Sequence, residues 1–417
     1  MTRALRPALV LAAVLAVCLP SGWCQASHQQ QGIYPLREVR PGQRAVAKSV
    51  FRGTTIESFQ LEVLGVMHKF EGTRSVILAR ILDGPVVTRK SGVIAGMSGS
   101  PVYINGLLAG AIALAWSWSK EPITGITPIE EMLAAWEPAR PSPAAQAGKA
   151  LPLPSPVRVG GQLIHRVRVG PPPPQPDPPG VMTLVPLGGF VQASGFNQRG
   201  LERLQELVAP YGMHVVQGPG AGAEHLNPPL VPGAAVGVAL VSGDFDMSAL
   251  GTVTLVEGTR VLAFGHPLFQ LGEVDLPMTG GYVYDILPSL TLSNKIMAPT
   301  GVVGRIYRDD QAAVAGAIGP QADLLPMTVE VSDRDRGRKR TFRLRLARLR
   351  ELLPSLAASV VGTAVDETRG VVARGTARVV PEFAAEGRPT IRREDVAYSN
   401  SDAAAAGRAA ALRPLAP

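Results

Sequence analysis

Gly96-Met97-Ser98-Gly99-Ser100-Pro101 admits one kind of local structure, a sharp turn, and the runs on either side admit strands. Glycine takes backbone conformations that side chains forbid, so glycines bracketing a serine let the chain reverse tightly. Ser91-Gly92-Val93-Ile94-Ala95 before the turn and Val102-Tyr103-Ile104-Asn105-Gly106 after it are small or apolar. A serine held in such a turn between apolar strands is how many hydrolases present a nucleophile. The turn can aim the amides of Gly96 and Ser98 at one point, which an oxyanion hole requires. Ser98 alone is a weak nucleophile and needs a base. Ser100 reads as a turn hydroxyl.

The chain has six histidines. His28 lies beside a leader sequence and His225 in a Gly/Pro loop. His68, His165 and His214 flank alternating apolar runs without a local motif. His266 differs, because it sits between Gly265 and Pro267 at the end of a hairpin-like run, Gly251 to Ala263. It is the candidate base.

Short Val/Thr/Ile-rich runs separated by many of the 45 glycines and 38 prolines predict a mainly β fold. Phe59-Gln60-Leu61-Glu62-Val63 alternates as a half-buried strand does. Asn105-Gly106 is a two-residue hairpin signal. Thr127 is a candidate N-cap, with Pro128 opening a short helix to Trp136. Residues 201–211 look helical. Residues 327–331 and 341–346 flank a charged tip and read as a hairpin. The boundaries that follow are a leader at 1–26, a serine-bearing half at 27–140 and a Pro/Gly-rich linker and insertion with a short helix at 141–234. A histidine-bearing half at 235–350 and a small mixed extension at 351–417 complete the chain.

Several function classes are disfavoured. Net charge is +8, but Arg alternates with Leu over residues 341–346, which places the charge on one solvated strand face rather than on nucleic acid. The same charge suits association with an anionic membrane surface or wall polymer. Gln217-Gly218-Pro219-Gly220-Ala221-Gly222 lacks the Gly-Lys-Ser/Thr of a phosphate loop. Arg3 and Arg6, an apolar stretch from Ala8 to Leu19 and small residues up to Ala26 read as an export signal, which would act as an anchor if left uncleaved. Lipidation at Cys18 or Cys24 is a weaker alternative. Both cysteines lie inside this segment, so cleavage after Ala26 would leave no Cys metal site or disulfide. No cofactor and no metal are expected.

The run from Thr88 to Ala111, with Met97-Ser98-Gly99-Ser100-Pro101 at its centre, resembles the SpoIVB (sporulation stage IV B) serine peptidase family. Glu121 to Leu133 is similar to the family, as is the segment from Gly251 to His266. The resemblance covers roughly residues 36–136 and 235–350. It implies two packed chymotrypsin-like six-stranded barrels with the site between them, Ser98 as nucleophile and His266 as general base. It implies Asp83 as the acid that orients the imidazole. Asp83 precedes Gly84-Pro85, where aspartates commonly bond local backbone. Asp275, in Gly272-Glu273-Val274-Asp275, is the alternative acid. The family order runs from histidine to serine, whereas Ser98 precedes His266 here, as in a circular permutation. No clear peptide-binding PDZ segment precedes the serine half. The expected activity is that of a secreted or envelope-associated serine endopeptidase, cleaving a protein or peptide substrate or itself. The alternative is an inactive envelope scaffold on the same fold.

Overall fold

A computed structural model describes residues 32–412, apart from 69–73, 117–118, 120, 138–149, 160, 171–172, 188–189, 221, 224, 290–291 and 371. The expected export signal and both cysteines lie outside the described residues. No helix among the described residues is long and apolar enough to cross a membrane.

The first half contributes β1 (Arg44–Arg52), β2 (Thr55–Met67), β3 (Val76–Ile81), a short β4 (Ile94–Ala95), β5 (Pro101–Ile104), β6 (Leu107–Trp116) and β7 (Ile123–Pro128). Six of these close a ring in the order β1-β2-β3-β7-β6-β5, with β5 returning to β1. Closure leaves no unpaired edge in that ring. Its interior is apolar, with Leu61, Ile77, Ile94 and Ile112 fully buried beside Phe51 and Phe59. Helices α1 (Gly84–Thr88) and α2 (Ile129–Leu133) are short.

The next interval, expected as a linker and insertion, is built into the sheets instead. Strands β8 (Leu151–Val159), β9 (Gln162–Val169) and β10 (Val181–Pro186) extend the first sheet from β6. Strands β11 (Phe190–Ser194) and β12 (His214–Gln217) extend the second sheet, with helix α3 (Gln198–Val208) between them. The proline-containing strand β8 lies at a sheet edge, where a missing N–H costs no ladder bond.

The second ring uses β13 (Ala235–Gly243), β14 (Asp246–Glu257), β15 (Arg260–Ala263), β16 (Gly272–Leu287), β17 (Ser293–Asp310) and β18 (Ala313–Ile318). They pair in the order β14-β15-β18-β17-β16-β13, and β13 closes on β14. Val236, Val253, Phe264 and Met278 lie in its buried core. The hairpin β19 (Leu324–Asp333) and β20 (Arg338–Ala347) extends this sheet, paired in register from Leu324↔Ala347 to Asp333↔Arg338. Arg343 and Arg345 are exposed while Leu344 and Leu346 are buried, which is the one-sided charge read from the sequence.

Helix α4 (Leu353–Arg369) packs on β19 and β20. The ribbons β21 (Gly375–Val379) with β24 (Asp395–Ser399) and β22 (Glu382–Ala385) with β23 (Arg388–Arg392) follow, and then helix α5 (Ala403–Leu412). The Ala-rich tail reads as an exposed helix from its sequence, yet α5 buries Ala403, Ala404 and Ala410 against α4 and the β21–β24 ribbon.

Several contacts join the two rings. β4 leaves the first half and pairs in parallel with β17 of the second. Gly53 and Val283 exchange backbone bonds of 2.7 and 2.9 Å. The hydroxyl of Ser293 donates to the Ser91 carbonyl.

At the Asn105-Gly106 turn both residues have positive φ, 51° and 80°, as a two-residue hairpin demands. Asn105→Val should therefore lower stability by about 1–3 kcal/mol, because a β-branched side chain is strained there. Asn105→Gly should be tolerated. Urea denaturation followed by tryptophan fluorescence compares the two.

Candidate active site

The serine turn is assembled mostly by the other ring. Its carbonyls are gripped by one face of β14. The Thr252 hydroxyl donates to Gly96 O at 2.9 Å, the Thr252 amide to Ser98 O at 2.7 Å and the Thr254 hydroxyl to Gly99 O at 2.7 Å. Residues two apart on a strand share a face, so Thr252 and Thr254 point to the turn together. Gly99 is required there: a Cβ on it would lie 1.9 Å from Thr252 O and 2.5 Å from Phe264 N, and its φ is +93°.

The turn's internal bonds set the direction of one further group. Ser100 N–H donates to Met97 O at 2.9 Å. In a planar trans peptide C=O and N–H point opposite ways, so turning Met97 O into the turn turns the Ser98 N–H outward. That outward amide is what an oxyanion donor needs.

The histidine segment reaches the same place. Phe264 N–H bonds Thr252 O at 3.3 Å, so Thr252 links the backbones of both segments. Ile112 O accepts the Gly99 amide at 2.7 Å. A Cβ on Gly265 would stand 3.5 Å from that same carbonyl. Thr127, read from the sequence as a helix cap, instead donates its hydroxyl to Gly265 O at 2.6 Å. Pro128 holds the cap position of α2. Phe264 and Gly265 both have positive φ, 69° and 72°. For a bulky residue such as Phe264 that conformation is strained, and such strain gathers at functional sites.

Ser98 and His266 are both buried, at 0% and 3% exposure. Ser98 Oγ and His266 Nε2 each lack a hydrogen-bond partner, so they are not bonded to each other. His266 Nδ1 lies 2.7 Å from Pro267 O. A carbonyl only accepts, so this contact puts the proton on Nδ1 and leaves Nε2 with a bare lone pair. Nε2 is thus in the form a general base requires. Burial lowers the imidazole pKa to about 4, helped by the Arg74 charge and opposed by the Pro267 carbonyl.

Neither candidate acid bonds the histidine. Asp83 is exposed and its carboxylate accepts the Gln60 amide at 2.7 Å. Asp275 accepts the Asp323 amide at 2.9 Å and faces Arg305 at 3.4 Å. Among the described residues no three His, Cys, Asp or Glu side chains gather as a metal site.

A residue not singled out in the sequence lies beneath the turn. Lys295 is 1% exposed, and its ammonium donates to Ser49 Oγ at 2.9 Å and Gly96 O at 3.2 Å. Ser100 Oγ donates to Ser49 Oγ at 3.0 Å, completing a buried network around the turn. Burial lowers the Lys295 pKa to about 7, against a small opposing pull from Glu57. Its sequence surroundings, Leu292-Ser293-Asn294-Lys295-Ile296-Met297, give no sign of its burial.

No curated protein and no solved structure matched the chain.

Two predictions follow from these charges. Any activity that uses His266 as base should hold from neutral pH down to about pH 4, rather than failing near 6.5 as an unperturbed imidazole would; a rate profile from pH 3 to 8 measures this. Lys295 binds a proton less readily in the folded chain than in the unfolded one between about pH 7 and 10.5. Its contribution to stability should therefore rise with pH across that window, by at most about 1.4 kcal/mol per pH unit. Lys295→Met should flatten that part of the stability curve, as read from urea midpoints.

Residues 24–133 match the family model of the SpoIVB peptidase S55, a stretch that contains Asp83, Gly96 and Ser98 and ends before His266.

Proposed function

We propose that this protein is a serine endopeptidase of the SpoIVB type, with Ser98 as nucleophile and His266 as general base. Two buried, unpaired atoms carry the reading: Ser98 Oγ and His266 Nε2, on segments linked through Thr252. Buried polar atoms without partners cost stability, so their presence asks for a chemical reason. Nε2 takes the Ser98 proton as Oγ attacks a peptide carbonyl. The tetrahedral oxyanion is received by the Ser98 amide, joined by that of Gly96. Nε2 then returns the proton to the leaving amine, and water hydrolyses the acyl-enzyme by the same route. The Pro267 carbonyl takes the orienting part that an aspartate plays in a Ser-His-Asp triad. The substrate is a protein or peptide, and the leader sequence supports export to the envelope or beyond. The serine-first order of the halves suits a circular permutation of the family.

Complete burial of Ser98 favours a second reading, an inactive peptidase-like scaffold. A substrate carbonyl reaches Oγ only if the cover over the turn moves.

Fluorophosphonate labelling separates the two. Wild type should label, and Ser98→Ala and His266→Ala should each lose labelling while keeping the wild-type circular dichroism spectrum. Absence of labelling in folded wild type would favour the scaffold, and full labelling of Ser98→Ala would place the nucleophile at another residue and overturn the assignment of Ser98.

A further inference from the structure

The Pro267 carbonyl can orient His266 only if its own position is fixed, and the chain segment after it is held by one carboxylate. Asp309, at the end of β17, is fully buried. Its Oδ1 accepts the Leu268 amide at 2.7 Å, and its Oδ2 accepts the Phe269 amide at 2.7 Å and the Leu271 amide at 3.5 Å. Among the described residues no lysine or arginine pairs with it. The loop curls its amides toward the carboxylate through Gln270, an exposed residue at φ 58°. Successive amides converging through a left-handed residue form an anion-binding nest. Here the anion is a side chain of the protein itself, and the nest begins one residue after Pro267.

We propose that Asp309 is the positioning residue of the catalytic histidine: by gathering the amides of residues 268–271 it fixes the Pro267 carbonyl, which holds the proton on Nδ1 of His266. The assignment rests on the peptidase reading of His266. Asp309 touches neither substrate nor imidazole. It acts through the loop backbone, where Asp83 and Asp275 do not reach. Burial pushes its carboxyl above the usual range while the loop amides pull it down. Those amides are therefore what makes a buried carboxylate tolerable, and the loop geometry and the charge depend on each other.

The test reads the histidine tautomer directly. In Asp309→Asn one carboxylate oxygen becomes an NH2 facing an amide N–H, so the nest must open. ¹⁵N NMR of histidine-labelled protein, with His266→Ala used to assign the signal, should show a single Nδ1–H tautomer in wild type. In Asp309→Asn it should show a mixture of tautomers, with fluorophosphonate labelling at least ten-fold slower. Asp310→Asn, which alters the neighbouring carboxylate, should match wild type in both. A merely structural Asp309 would lower the melting temperature and leave the tautomer unchanged. If Asp309→Asn does not fold, Gln270→Pro forbids the left-handed turn at an exposed position and should give the same mixture. A single Nδ1–H tautomer in either folded variant overturns the proposal. If wild type is never labelled, the peptidase reading fails, while the NMR comparison still decides whether Asp309 sets the tautomer.

Discussion

The grip of β14 on the serine turn is the contact on which the rest of the site depends. Three successive polar groups, the Thr252 amide and hydroxyl and the Thr254 hydroxyl, take the carbonyls of Ser98, Gly96 and Gly99. All three are contacts between the two rings. Each buried bond contributes about 0.5–1.5 kcal/mol net, but losing one partner strands the other at about 1–3 kcal/mol. The turn therefore has little freedom to relax alone. Lys295 and Ser49 secure Gly96 from beneath, and a glycine at position 99 is the only residue that leaves room for Thr252. The turn that carries Ser98 is shaped by the ring that carries His266, so neither half presents the proposed site by itself.

The histidine is prepared by different means. Two left-handed residues, Phe264 and Gly265, throw the chain out of β15, and Thr127 catches the Gly265 carbonyl. The imidazole then bonds the carbonyl of its own neighbour. A neutral acceptor gives the imidazolium less stabilisation than a carboxylate would, and burial depresses the pKa further. The result is an imidazole that stays unprotonated over a wide acid range, and that is a weaker proton acceptor than one paired with a carboxylate.

Much of the framework was legible in the sequence. Short apolar runs broken by glycine gave the mainly β class, Asn105-Gly106 marked a hairpin, and Met97-Ser98-Gly99-Ser100-Pro101 marked the turn. What escaped were roles fixed by contacts across the rings. Thr252 and Thr254 read as ordinary β-formers, and Thr127 as a cap, because their partners lie far away in sequence. Proline content suggested a linker at 141–234, whereas the strands there satisfy their backbone groups at sheet edges. Asp83 precedes a turn pair, and its carboxylate does bond a backbone amide. Asp309, beside an ordinary Asp310-Gln311 turn, carried no local signal at all.

On the proposed reading, two rings assemble one nucleophile–base pair. A crystal structure of the protein after reaction with a fluorophosphonate tests it most directly. The expected result is phosphorus on Ser98 Oγ, a phosphonyl oxygen on the Ser98 amide and His266 Nε2 within hydrogen-bond reach of the adduct. An adduct on Ser49 or Ser100, or one on Ser98 with His266 turned away, would contradict it.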